Sequence, residues 1–133
     1  MKYLLDTNLC IALIRRTSEG AERRLVAQAV TDVAISALTV AELEYGVAKS
    51  RQPRLDADRL ERFLQPLQIV GFDDGAAAAY GPARAALEKG GVRIGPIDML
   101  LAAQALSLGV TLVTNNTHEF RRVKGLKVQD WTR

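Results

Sequence analysis

Two hydrophobic rhythms alternate along this chain: short apolar runs closed by a polar residue, and longer stretches with apolar residues at helical spacing. The first run, Tyr3-Leu4-Leu5, stops at Asp6 and is too short for a helix. It reads as a strand buried on both faces, as in a parallel sheet. Thr7–Arg16 follows as a helix with Leu9, Ile11, Leu13 and Ile14 mostly inward, and a second helix from Ser18-Glu19 extends to about Val30. Asp32–Ser36 is a second strand, and Thr39–Lys49 is helical through Val40, Leu43 and Val47. A turn at Ser50–Arg54 contains Pro53. Leu55–Leu64 is then a charge-rich amphipathic helix. Leu67–Phe72 is a third strand, with Asp73 capping an alanine-rich helix to Lys89. After the loop Gly90–Gly95, a helix opens at Pro96 and stops at Gly109. Val110–Thr114 is a fourth strand, Thr117–Phe120 a short turn and Leu126–Gln129 a last strand. Strands alternating with helices predict one three-layer α/β/α domain, residues 1–133, around a mostly parallel sheet.

Composition narrows the class. Hydrophobic residues at 48% and charged residues at 25% describe a globular chain, and no apolar run reaches a membrane span. The start, with Lys2 and Asp6, is unlike a signal peptide. One cysteine, Cys10, allows no internal disulfide and fits a reducing cytoplasm. One Cys with one His cannot build a zinc site of soft ligands. The loop Gly90-Gly91-Val92-Arg93-Ile94-Gly95 is not a dinucleotide fingerprint, because it follows a helix and its glycines are misplaced.

The candidate chemistry is acidic. Asp6 ends the first strand, on the edge of an open α/β sheet where ligands bind, and it equally suits the cap of the next helix. Glu42 completes a capping box, Thr39-Val40-Ala41-Glu42, in a helix that starts from the same edge. Asp98 sits in the first turn of an otherwise almost uncharged helix. Each acid alone is explained by capping, whereas together they put three carboxylates at element ends. Converging carboxylates repel unless a cation neutralises them, and hard oxygen ligands select Mg²⁺, with Mn²⁺ as a substitute. If the three share a pocket, 18 basic and 12 acidic side chains remain outside it, a surface suited to an acidic polymer.

Four segments carry a family resemblance: Leu5-Asp6-Thr7-Asn8; Leu38–Leu43 around Glu42; Gly95-Pro96-Ile97-Asp98; and Val113-Thr114-Asn115-Asn116 with Glu119-Phe120. In this order, closing on Val128-Gln129-Asp130-Trp131, they resemble the PIN domain, and within it the VapC-type toxins of type II toxin–antitoxin systems. The resemblance implies a sheet of order 3-2-1-4-5 and a Mg²⁺-dependent endoribonuclease. It also implies a VapB-type antitoxin partner, a homodimer, and a substrate among tRNA anticodon stem-loops, initiator tRNA in particular. Asp6, Glu42 and Asp98 match the family's first three metal-site acids. Asn116 departs from the pattern, standing where many PIN domains carry a fourth. Three carboxylates suffice for one ion and leave a second poorly held. Glu119 either replaces the missing charge or faces solvent, and Thr114 and Ser36 either support the site or merely end strands.

His118, the one histidine, is an adjacent loop residue better read as polar surface than as a general base, because metal-bound water ionises without an imidazole. Arg15, Arg16, Arg93, Arg121 and Arg122 are phosphate-contact candidates or ordinary solvated charge. No aromatic platform for stacking bases is evident. The expected reaction is metal-assisted hydrolysis leaving a 5′-phosphate and a 3′-hydroxyl, with Asp6 or Asp98 orienting the water. The alternatives are a degenerate PIN domain that binds RNA or protein without cutting, and, far behind, a receiver-like domain using Asp73 or Asp74.

Overall fold

The computed structural model describes residues 1–133. Five strands form one parallel sheet: β1 (Tyr3–Leu5), β2 (Val33–Ser36), β3 (Gln68–Val70), β4 (Thr111–Val113) and β5 (Lys127–Gln129), in the order β3-β2-β1-β4-β5. Tyr3-Leu4-Leu5 is therefore central, paired with Val33-Ala34-Ile35 on one side and Thr111-Leu112-Val113 on the other. Alternation along the strands divides the core. Leu5, Ile35 and Val113 pack under α1 (Thr7–Arg15), α2 (Glu19–Val26), α3 (Ala37–Ala48) and α4 (Pro53–Leu64). Leu4, Ala34 and Leu112 pack under α5 (Asp74–Lys89) and α6 (Pro96–Leu108), with Phe120 of the one-turn helix α7 (Thr117–Phe120). The result is the expected α/β/α sandwich, and no helix is long and apolar enough to cross a membrane.

Some boundaries differ from the sequence reading for identifiable reasons. α3 begins at Ala37, capped by Ser36, whose Oγ accepts from the Leu38 N–H at 3.1 Å. Thr39 is thus already inside the helix, and the capping box assigned to Thr39 and Glu42 does not form. α2 ends at Val26 rather than near Val30, and a 3₁₀ turn at Val30–Asp32 leads into β2. Pro53 opens α4 instead of lying in the preceding turn, because its fixed φ suits the first helical position. β3 is an edge strand with Gln68 and Ile69 exposed. α6 is the most enclosed helix, with Met99, Leu101, Ala102, Ala103, Gln104 and Ala105 buried, and Gly109 in the left-handed region stops it. That enclosure fixes the helix entrance carrying Asp98.

Candidate active site

Every strand except β3 delivers a polar group to the carboxyl edge of the sheet. Asp6 follows β1, is 3% exposed, and uses both carboxylate oxygens. Its Oδ1 accepts from the Leu9 N–H at 2.8 Å, which caps α1, and its Oδ2 accepts from the Thr114 hydroxyl at 2.5 Å. The cap and site readings of Asp6 therefore describe two oxygens of one side chain. Thr114 follows β4, is fully buried, and accepts at its Oγ1 from the Asn116 N–H at 2.9 Å. A relay from backbone amide through hydroxyl to carboxylate so locks Asp6. Burial pushes the Asp6 carboxyl up, the Thr114 and Leu9 hydrogen bonds pull it down, and Glu42 and Asp130 push it up again by repulsion.

Glu42, half-buried in the second turn of α3, accepts at Oε1 from the Thr7 hydroxyl at 2.5 Å. Thr7 and Thr39 have their hydroxyl oxygens 3.2 Å apart. Because the single proton of Thr7 goes to Glu42, the buried Thr39 hydroxyl is left to donate to Thr7. Asp98, half-buried at the start of α6, has no side-chain hydrogen bond to the protein. Its pKa is raised to about 6, first by burial and then by repulsion from Glu119, Asp6 and Glu42. Glu119, half-buried on α7, accepts at Oε2 from the Asn116 amide at 2.5 Å. It is thus turned toward the other acids and exerts the strongest charge effect on Asp98.

Asp6, Glu42, Asp98 and Glu119 thus share one electrostatic neighbourhood. No three carboxylates close on a single point as a preformed ligand shell, and none of these four acids takes part in an ion pair. Hard oxygen donors, partial burial, upward-shifted acids and missing counter-charges together fit a hard divalent cation.

Other candidates lie outside this cluster. Ser36 is buried and spent on capping α3. His118 is exposed and lies 3.0 Å from Arg122, and Arg16 pairs with Glu22 at 3.1 Å. Arg15 lines a groove that begins at Thr7 and Glu42, and Arg93 lines a separate cavity of about 220 Å³ beside Pro96 and Met99. Two residues escaped the sequence reading. Asp130 follows β5 directly and acts on Asp6, a position that the logic used for Asp6 itself would have found. Tyr45 is 66% exposed one turn beyond Glu42, a surface aromatic that helical spacing from Glu42 would have revealed.

Known proteins share this chain's fold and much of its sequence. The PIN domain profile matches residues 3–126. The tRNA(fMet)-specific endonuclease VapC of Shigella flexneri is 37% identical over 132 residues, covering 99% of each chain. Ribonuclease VapC2 of Haemophilus influenzae is 40% identical, covering 98% of each. Among solved structures, DNA-bound VapBC from Salmonella typhimurium superposes with a TM-score of 0.94 at 37% identity, covering 98% of each chain. VapBC2 from Rickettsia felis, bound to a DNA fragment from its promoter, gives 0.91 at 38%, covering 98% of this chain and 99% of that one. With the fold and near full-length sequence similarity in accord, this chain belongs to the PIN-domain family and, within it, to the VapC ribonucleases.

Proposed function

We propose that this protein is the toxin of a toxin–antitoxin pair, a Mg²⁺-dependent endoribonuclease that cuts tRNA in the anticodon stem-loop. The observation that carries the reading is four carboxylates on one sheet edge without a single counter-charge, two of them held above their ordinary pKa. Asp6, Glu42 and Asp98 would hold the cation, with Mn²⁺ able to replace Mg²⁺, and Glu119 and Asn116 would support it. When bound, a hard cation supplies positive charge against the scissile phosphate and lowers the pKa of an attacking water.

The chain's own side chains divide the remaining work. Asp6 and Glu42 are immobilised by Thr114 and Thr7, which suits fixed ligation. Asp98 has no such hydrogen-bond partner, so its carboxylate is the one free to orient a water and accept its proton. Water attacks phosphorus in line, the bond to the 3′ oxygen breaks, that oxygen takes a proton from solvent, and the products carry a 5′-phosphate and a 3′-hydroxyl. The tRNA substrate is supported by the Shigella flexneri relative's name and a VapB-type antitoxin by the VapBC relatives, while a homodimer rests on the family resemblance alone. Such a pair would work in the cytoplasm, where tRNA is.

The deciding experiment digests an initiator-tRNA anticodon stem-loop with and without EDTA, then ligates the downstream fragment without kinase treatment. Ligation that EDTA abolishes is the expected result. A 2′,3′-cyclic phosphate formed equally in EDTA would overturn the carboxylate mechanism. RNA binding without cleavage at any Mg²⁺ or Mn²⁺ concentration would make this a binding-only PIN domain.

A further inference from the structure

A groove of about 530 Å³ leaves the acidic edge between α1, α3 and α4. Thr7 and Glu42 form its mouth, and Ile11, Leu43 and Leu60 are among its apolar lining. Both α1 and α3 start at the carboxyl edge and run away from it, so residues later in each helix lie deeper along the groove. Tyr45 is three positions after Glu42, on the same helical face and about 4.5 Å further along. Arg15 and Lys49 stand roughly 10–12 Å from the mouth, at the far ends of their helices.

The chemistry of the lining is specific. Tyr45 is the one exposed aromatic among the large hydrophobic residues at the surface. The Lys49 ammonium lies 4.8 Å from its ring centroid, a cation–π contact that keeps the ring oriented. Neither Lys49 nor Arg15 is neutralised by a carboxylate, whereas Arg59 in the same groove is paired with Asp56 at 3.4 Å. An accessible aromatic face followed by unneutralised cations is the combination that binds single-stranded nucleic acid: a base stacks and a phosphate finds positive charge. The order also matters, because the cations stand away from Glu42 and would draw an RNA strand past a carboxylate that repels it.

We propose that this groove is a nucleotide subsite for the unpaired RNA residue flanking the scissile phosphate, with its base stacked on Tyr45 and its outer phosphate held between Arg15 and Lys49. The inference rests on the ribonuclease reading above. Tyr45 is then a positioning residue, and it extends recognition beyond the carboxylates.

The test pairs a protein change with an RNA change. Tyr45→Ala should raise KM for a stem-loop roughly tenfold to a hundredfold with kcat little altered, the range expected for one lost base–aromatic stack. Tyr45→Phe and Tyr45→Trp should cut like the wild type. An abasic residue at one loop position beside the cut should cost the wild type the same factor and cost Tyr45→Ala nothing more, because coupled partners are not additive. Lys49→Ala should lower the salt dependence of binding by about one counterion. A Tyr45→Ala protein with unchanged KM, or with only a lower kcat, overturns the subsite. So does one that keeps RNA affinity but escapes its antitoxin, which would make the groove a protein-docking surface. Failure of the wild type to cut any RNA would defeat the ribonuclease reading itself, an outcome distinct from normal cutting by Tyr45→Ala.

Discussion

Asp98 is costly to keep ionised, because it is half-buried beside other acids and has no basic partner. Its folded pKa of about 6 exceeds the ordinary 3.8, so the folded state holds its proton more tightly than the unfolded chain does. Its stabilising contribution is therefore present at pH values near 4 and below. It is lost as pH rises toward and through 6, leaving a penalty at neutral pH. In EDTA at pH 7, Asp98→Asn should raise stability by on the order of 1–3 kcal/mol, while abolishing cleavage in Mg²⁺. Thermal melts at pH 5 and pH 7 check the sign: the gain should shrink at pH 5. Thr114→Val should do the opposite to its neighbour. With its hydroxyl gone, Asp6 keeps a buried oxygen without its donor, at a cost of about 1–3 kcal/mol at neutral pH, and Thr114→Ser should restore it. Asp6 and Asp98 were legible because each sits at an element end, and Glu42, in the second turn of α3, because the sequence pattern put it near a helix start on the same edge. Glu119 was legible only as an alternative, because its orientation depends on the Asn116 amide, a contact that spacing does not encode.

At the scale of elements, the misread positions are those where two local signals competed. Thr39 and Glu42 satisfy the capping-box pattern, but Ser36, three residues earlier, caps α3 first, and Glu42 is released to face Thr7. Gly109 and Pro96 were unambiguous, since each has one conformational use at a helix end, and α6 has the expected limits. Asp6 couples a helix start to the site, so substitutions there separate the two tasks. Asp6→Asn keeps an acceptor for the Leu9 N–H, whereas Asp6→Ala removes it. Both should be inactive, yet the Asn variant should be more stable than the Ala variant by about 1 kcal/mol, read by denaturant unfolding. Equal stabilities would mean that the cap contributes nothing to α1.

For the whole molecule, the sheet order was legible through resemblance rather than periodicity, because hydrophobic runs define strands and not their neighbours. The net charge of +3 averages over an acidic edge, since four of the 15 acids are gathered there and 18 basic and 11 acidic side chains remain elsewhere. Calorimetric titration with Mn²⁺ should accordingly show one dominant site, and Glu119→Gln should weaken it while leaving the melting curve in EDTA unchanged or higher. Two ions of equal affinity would count against Asn116 as the reason for a single site. Growth of cells expressing the chain alone should arrest, and a co-expressed VapB-type partner should relieve it.

The Asp6 carboxylate and the Thr114 hydroxyl that locks it are 108 positions apart, joined only because β4 lies beside β1. Synthesis runs from the amino terminus, so β1 and β2 leave the ribosome well before the strand that completes the second edge of β1. Until β4 emerges and docks, Asp6 has no Thr114 hydroxyl beside it. On the ribonuclease reading, the site is therefore completed only late in synthesis, and a chain terminated before β4 should not cleave RNA.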